Sequence, residues 1–355
     1  MDNVRHLMEG AVSGGVFPGG VLMASQQGQV LIHQAFGLAD LVTGVPVSTR
    51  TVFDLASLTK PLATTLAVLT LMEHAQLTLD HTLGDFLVSS RGTDKADITI
   101  KYLLYHNSGL PDYRPYFKEM DPAHSTRNRE LILGRILEEP LKHTIGEKVI
   151  YSDLGFILLR GMIETASGCR LDDIVREEIY LPMQLEDIFF GDPETPLPAN
   201  RVASTENCPW RQEHIRGVVH DENAYAVGGV DGHAGLFVTA AAVHGLLMEL
   251  LAVYSQDRSH GVINPGLLRD FLDYGKGTER ALGFDRPAVK DSASGCCFSR
   301  NSVGHLGFTG TSFWMDLDRS IVIILLTNRI HPSRDNEKIR EFRPILHDAV
   351  METLL

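Results

Sequence analysis

Apolar residues recur with one period at the ends of the chain and another in its middle. Val4, Leu7, Met8 and Val12 share one face of a short amphipathic helix at the start. Two short β-type runs follow, 21–25 and 29–36, separated by Gln26-Gln27-Gly28, a spacing that predicts a hairpin. Late in the chain, 307–315 and 321–327 flank Asp316-Leu317-Asp318-Arg319 as a second hairpin. The last of these runs is apolar throughout, as expected for a strand covered on both faces. Ile339, Phe342, Leu346, Ala349 and Val350 then mark one face of a helix over 336–355.

Between these ends the pattern is helical. Leu62, Leu66, Leu69, Leu71 and Met72 predict a helix over 62–79, and Pro61 belongs in its first turn, where a missing N–H costs nothing. Further helices are expected near 98–105, 129–137, 154–166 and 171–179. The Pro-rich segment Asp192-Pro193-Glu194-Thr195-Pro196-Leu197-Pro198 is expected to lead back toward the first domain. The expected fold class is α+β. An antiparallel sheet domain, 1–56 plus 205–355, is flanked by the terminal helices and interrupted by a mostly helical domain, 57–204. Such a discontinuous plan leaves a cleft at the junction, a common place for a small-molecule site.

Composition narrows the functional classes. The 355 residues are 44% hydrophobic and 22% charged, ordinary for a globular protein, with no repeat or low-complexity tract. A formal net charge of −13 without a Lys/Arg cluster argues against nucleic acid and against an anionic membrane surface as partners. The longest apolar run, 321–326, is far too short to span a bilayer. The first ten residues lack the continuous apolar stretch of an export signal, so a cytoplasmic location is expected unless a leader has been removed. Cys169, Cys208, Cys296 and Cys297 form no C-x-x-C, and the fifteen histidines include no H-E-x-x-H. Single histidines such as His74 and His244 read as structural, and no metal or cofactor is expected.

The chemistry concentrates at Ser57-Leu58-Thr59-Lys60-Pro61. Ser57 stands at the start of a helix, where free N–H groups and the positive end of the dipole favour negative charge. Ser57 and Lys60, three apart, share one helix face. A lysine tucked into such a place can lose its proton more readily than a solvated one and accept that of the serine. The same pattern also describes a serine cap beside a surface lysine. Tyr151-Ser152-Asp153 precedes the 154–166 helix after a turn containing Gly146. Ser152 or Asp153 can cap that helix, while a tyrosine beside a lysine can carry protons. Gly304-His305-Leu306-Gly307-Phe308-Thr309-Gly310-Thr311 opens the late hairpin. Its glycines suit either a bulged edge strand or one whose backbone something must approach closely. There is no complete G-x-S-x-G, so an α/β-hydrolase elbow does not supply the serine.

Together, Ser-x-x-Lys, Tyr-Ser-Asp and the Gly-flanked His-Leu-Gly resemble the three ordered motifs of penicillin-recognising serine hydrolases: class C β-lactamases, DD-carboxypeptidases and family VIII carboxylesterases. The segments 103–111 (Leu-Leu-Tyr-His-Asn-Ser-Gly-Leu-Pro) and 228–237 (Gly-Gly-Val-Asp-Gly-His-Ala-Gly-Leu-Phe) are similar to that group too, and the resemblance covers nearly the whole chain. It implies a β-lactamase/transpeptidase-like fold and an acyl-enzyme mechanism. Ser57 would be the nucleophile, Lys60 its proton partner, and Tyr151 the general base and later proton donor. The N–H groups of Ser57 and Phe308 would form the oxyanion hole, with Asp153, His305 and Gly307 at the substrate. His305 stands where lysine is usual and Asp153 where asparagine is usual. A mostly neutral histidine does not attract a carboxylate as lysine does, and Asp153 loses an amide donor. The expected substrate is therefore a small ester or amide lacking a free carboxylate. The alternatives are a β-lactamase or D-amino-acid-specific peptidase with His305 protonated and, from another class, a noncatalytic ligand-binding protein. Specificity is expected to reside in the loops 112–127 and 276–300; oligomeric state is open.

Overall fold

The computed structural model describes residues 2–120, 125–255 and 261–355; residues 121–124 of the first expected specificity loop lie outside them. An eight-stranded antiparallel sheet is drawn from both ends of the chain. Its strands are β1 (Gly19–Gln26), β2 (Gln29–Asp40), β3 (Val45–Pro46), β4 (Arg280–Ala281), β5 (Phe284–Asp285), β6 (Ser302–Leu306), β7 (Ser312–Asp316) and β8 (Ile321–Thr327), in the spatial order β3-β2-β1-β8-β7-β6-β5-β4. First and last strands meet at the centre, where β1 runs beside β8 from Gly20↔Thr327 to Gln26↔Ile321.

Strand β8 is buried at every position, and its period-2 alternation divides the core. Ile321, Ile323 and Leu325 face a cluster containing Val4, Met8, Phe342, Leu346 and Val350, contributed by the terminal helices α1 (Asp2–Ser13) and α6 (Ile339–Leu354). Val322, Ile324 and Leu326 face the opposite cluster, with Val243, Leu246 and Leu250 of α5 (Ala240–Ser255). A continuous apolar run is what a strand covered by helices on both faces requires.

The expected second hairpin is a three-strand meander. Residues 307–311 form a turn joining β6 to β7, which pair from Ser302↔Asp316 to Leu306↔Ser312. Gly304 lies within β6, opposite Trp314, whereas Gly307 and Gly310 sit where the chain reverses.

The middle of the chain is helical, as its period predicts. Lys60–Thr64 form a wide π-helical turn with Pro61 in its first positions, and α2 (Thr65–Glu73) continues it. The helix stops well before residue 79. Ala75 is left-handed at φ +56, and the N–H groups of Gln76 and Leu77 turn back to the carbonyl of Leu71. Helix α3 (Thr126–Glu138) brackets the expected 129–137, and α4 (Asp153–Ser167) brackets the expected 154–166. Ser152 caps α4, its hydroxyl accepting from the N–H of Gly155 at 3.3 Å. That leaves the Asp153 carboxylate uncommitted to the cap.

Candidate active site

The short strand Phe53–Asp54 delivers Ser57 to the site. It belongs to a three-stranded sheet with Leu236–Val238 and Ile188–Phe190, and the N–H of Leu55 donates to the carbonyl of Leu236. The chain then reverses sharply through Ala56, which adopts φ +47, a backbone conformation costly for a residue with a Cβ. The buried Asp54 carboxylate holds this turn, one oxygen accepting from the N–H of Ala56 at 2.8 Å and the other from that of His220 at 2.7 Å.

Lys60 is fully buried behind Ser57. Its Nζ donates to Ser57 Oγ at 3.0 Å, to Tyr151 OH at 2.6 Å and to Asp153 Oδ1 at 2.6 Å, with the carbonyl of His233 at 3.4 Å. Three protons thus meet three close acceptors. Hydroxyl, amine and phenol, separate in sequence, converge as the motifs predict.

The electrostatics differ from the sequence expectation. Burial pushes the Lys60 ammonium toward losing its proton, but Asp153 and Tyr151 outweigh burial and hold it above its ordinary value. Lys60 is therefore a fixed cation rather than a ready base. Burial raises the Tyr151 phenol; Lys60 and the Ser57 hydroxyl pull it back, Asp153 pushes it up again, and it stays above its ordinary value.

Tyr151 and Ser152 are held by His106, which lies in the 103–111 segment outside the three motifs. Its Nδ1 accepts from the N–H of Ser152 at 3.1 Å, its carbonyl accepts from Ile150 at 2.7 Å, and its ring lies 4.7 Å from the Tyr151 ring. His106 is left-handed at φ +58 and buried, and burial keeps it neutral.

The third motif closes the site from the sheet side. His305 Nδ1 donates to the Leu306 carbonyl at 2.8 Å, which leaves Nε2 buried with no partner. Burial, with Lys60 and Arg280 nearby, pushes its pKa down to about 4 despite Asp285. Gly307 is required by the chain's own backbone: a Cβ there would lie 2.4 Å from the carbonyl of Leu55 and 2.0 Å from Thr311 Oγ1. Thr309 and Thr311 fasten the turn to the nucleophile segment through the carbonyls of Asp54 and Leu55. Gly304 makes room for the Trp314 ring, 2.5 Å from a Cβ built there. Phe308 projects at the tip, half exposed, stacked on His220 with ring centres 5.7 Å apart.

These groups line a cavity of about 560 Å³, within the range of small-molecule sites. Its walls include residues that sequence reasoning missed. His233 is buried against Asp221, Nε2 to Oδ1 2.9 Å, and the pair resists burial so that the imidazolium is held to about 9. Arg334 bridges Glu206 and Glu222, and Arg280 pairs with Asp285. Arg280 and Asp285 face each other across one short hairpin, whereas the partners of His233 and Arg334 are brought to them from separate segments by the fold.

Among the described residues two groups have ligand-type side chains close enough for one metal ion: Asp40, His214 and His331, and Cys296, Cys297 and Asp348. Neither group lines the cavity. In the first, His331 Nε2 accepts from the N–H of Leu41, and Asp40 accepts from Val42 and Arg216, so the atoms a metal would need are engaged.

Comparison with known proteins agrees with this arrangement. The family model described as Beta-lactamase matches residues 2–345. The chain is 29% identical over 360 residues to an N-acetylmuramyl-L-alanine amidase of Bacillus subtilis, covering 92% of this chain and 80% of that protein. It is 30% identical over 355 residues to a putative D-alanyl-D-alanine carboxypeptidase of Escherichia coli O157:H7, covering 91% and 81%. In structure it resembles EstCE1, a hydrolase with promiscuous acyltransferase activity, with a TM-score of 0.76 at 22% identity over 97% and 98% of the two chains. It also resembles an octameric penicillin-binding protein homologue from Pyrococcus abyssi, with a TM-score of 0.75 at 18% identity over 99% and 77%.

Proposed function

The chain belongs to the beta-lactamase family and is a serine hydrolase of that family, and from that premise we propose that it cleaves small esters or amides through an acyl-enzyme on Ser57. The observation that carries this reading is the Lys60 ammonium, which donates at once to Ser57 Oγ and Tyr151 OH. The cavity lies, in this reading, at the junction of a sheet domain (1–56 plus 205–355) and a helical domain (57–204).

Because Asp153 keeps Lys60 charged, the base is Tyr151 after loss of its own proton, its phenolate stabilised by the adjacent ammonium. Tyr151 takes the Ser57 proton as Oγ bonds to the substrate carbonyl carbon, and the carbonyl electron pair moves to oxygen. The N–H groups of Ser57 and Phe308 receive that oxyanion. Tyr151 then protonates the departing alcohol or amine. Water attacks the acyl-Ser57 ester as its proton passes to Tyr151; the C–Oγ bond then breaks as Tyr151 returns that proton to Ser57 Oγ, which releases the acid and regenerates the phenolate.

His305 favours substrates without a free carboxylate, since its neutral ring offers an acceptor at Nε2 and no charge. Reaction with a fluorophosphonate followed by peptide mapping tests the nucleophile, and label on any peptide but that of Ser57 sinks the assignment. Failure of folded protein to label at all would revive a noncatalytic binding role.

One observation favours the peptidase alternative. Arg329 and Arg343 line the same cavity without a carboxylate partner among the described residues, donating instead to backbone carbonyls. Such guanidinium groups could receive the terminal carboxylate of a peptide, the kind of substrate named for the E. coli relative. Turnover of a short-chain p-nitrophenyl ester, a chromogenic cephalosporin and a D-alanyl-D-alanine peptide separates the readings: ester turnover far above the others supports the first, and the reverse order the second.

A further inference from the structure

We propose that Cys296, Cys297 and Asp348 form a binding site for one thiophilic divalent cation, with Zn²⁺ as the fitting ion. The site is separate from the catalytic machinery and independent of the substrate assignment. Cys296 Sγ lies 3.9 Å from Cys297 Sγ and 3.3 Å from Asp348 Oδ2, and the three ligand atoms fall within 4.8 Å of one another. A tetrahedral zinc with Zn–S of about 2.3 Å and Zn–O of about 2.0 Å requires a sulfur–sulfur edge of about 3.8 Å and a sulfur–oxygen edge of about 3.5 Å. The two edges that meet at Cys296 Sγ match these values within about 0.2 Å, and the third, from Cys297 Sγ to Asp348, lies within 4.8 Å, so a small side-chain adjustment completes three of the four vertices.

The surroundings fix this geometry. Asp348, on α6, uses Oδ1 to accept the N–H groups of Cys296 at 2.7 Å and Cys297 at 3.1 Å, leaving Oδ2 to face the thiols. Outer hydrogen bonds of this kind orient a metal ligand. Gly295, left-handed at φ +82, permits the close approach: a Cβ there would lie 2.1 Å from Asp348 Oδ1. Arg319, ion-paired with Asp316, also donates to the carbonyl of Cys297 at 2.8 Å and so fixes the backbone of that loop. Cys296 and Asp348 also line an open pocket of about 470 Å³, which gives solvent access and room for a water as fourth ligand. Binding would convert two thiols to thiolates and release two protons to solvent.

Occupancy would tie the loop carrying Cys296 and Cys297 to α6. On the same helix, Arg340 lines both this pocket and the catalytic cavity. The site would therefore act as a clamp on one wall of the active centre.

Equilibrium dialysis of the reduced protein against Zn²⁺ should find one tightly held ion per chain, and zinc should raise the melting temperature by several degrees, about what ligand linkage gives a protein of this size. Cadmium in place of zinc should produce a thiolate charge-transfer band. The C296S/C297S double variant should lose the ion, the band and the zinc-dependent rise, while D348N should keep the band but bind about tenfold or more weakly. Wild-type protein that binds no more zinc than the double variant, or zinc binding that the double variant retains in full, overturns the proposal.

Discussion

Asp153 Oδ1 and Tyr151 OH lie at the same distance, 2.6 Å, from the Nζ of Lys60. One ammonium is thus shared between an acid that wants it charged and a phenol that must lose a proton beside it. The carboxylate opposes ionisation of the phenol, and the balance of the site turns on this contact.

If Asp153 is the restraint, D153N should free the base. The amide oxygen can still accept from Lys60, but the negative charge facing Tyr151 is gone, so the phenolate forms at lower pH. The pH profile of kcat/KM, rising on its alkaline side in the wild type, should move toward neutral pH, with about a tenfold gain at pH 7. His233, His305, His106, Arg280 and Asp285 also face or surround this group and are unchanged in the comparison. An unmoved profile would show that Tyr151 is not the titrating base.

K60M should keep the packing volume and remove the cation that stabilises the Tyr151 phenolate. A fall in kcat of about 10²–10⁴-fold is expected from loss of such a group, with fluorophosphonate labelling slowed in parallel. Asp153 and Tyr151 lose their shared donor, so stability should also drop by about 3 kcal/mol. Near-normal labelling in a folded K60M protein would remove Lys60 from the mechanism.

His305, held near 4, should contribute no inflection to the pH profile between pH 5.5 and 8. H305K would place a fixed charge at this position and should raise kcat/KM for a carboxylate-bearing substrate relative to a neutral ester. An inflection in the wild-type profile near pH 6 to 7 that disappears in H305Q would contradict a neutral His305.

The buried His233–Asp221 pair predicts a stability profile. The folded pKa of His233, about 9, lies above its ordinary value of 6.5. The contribution, on the order of 3 kcal/mol, is then fully present below pH 6.5 and is lost as pH rises toward 9. Melting temperature measured from pH 6 to 9.5 should fall across that window and flatten in D221N. Equal slopes in the two proteins would remove the pair as the cause.

Much of this was legible in the sequence because it is local. The period of apolar positions announced β1, β2, β8 and the terminal helices, and Pro61 marked where the nucleophile's helix begins. The motifs at Ser57, Tyr151 and His305 were visible as short words. What escaped was set by contacts across the fold. The charge state of Lys60 was not legible, because nothing in Ser-x-x-Lys reveals that Asp153, 93 positions away, lies against it. The sequence left Gly304 and Gly307 open between a bulged edge strand and room for a visitor, and it could not name their actual neighbours, Trp314 and Leu55 of the same chain. The helix after Ser57 was drawn too long because apolar periodicity continues past Ala75, where the backbone turns left-handed.

Ala56 carries a left-handed backbone pinned by Asp54 immediately before the serine. An isolated peptide of this sequence would relax at once, since nothing in it opposes the unfavourable rotation. The hydroxyl's aim is therefore borrowed from tertiary structure, and a local loosening of the Asp54 turn would disarm the protein while leaving every side chain of the three motifs chemically intact.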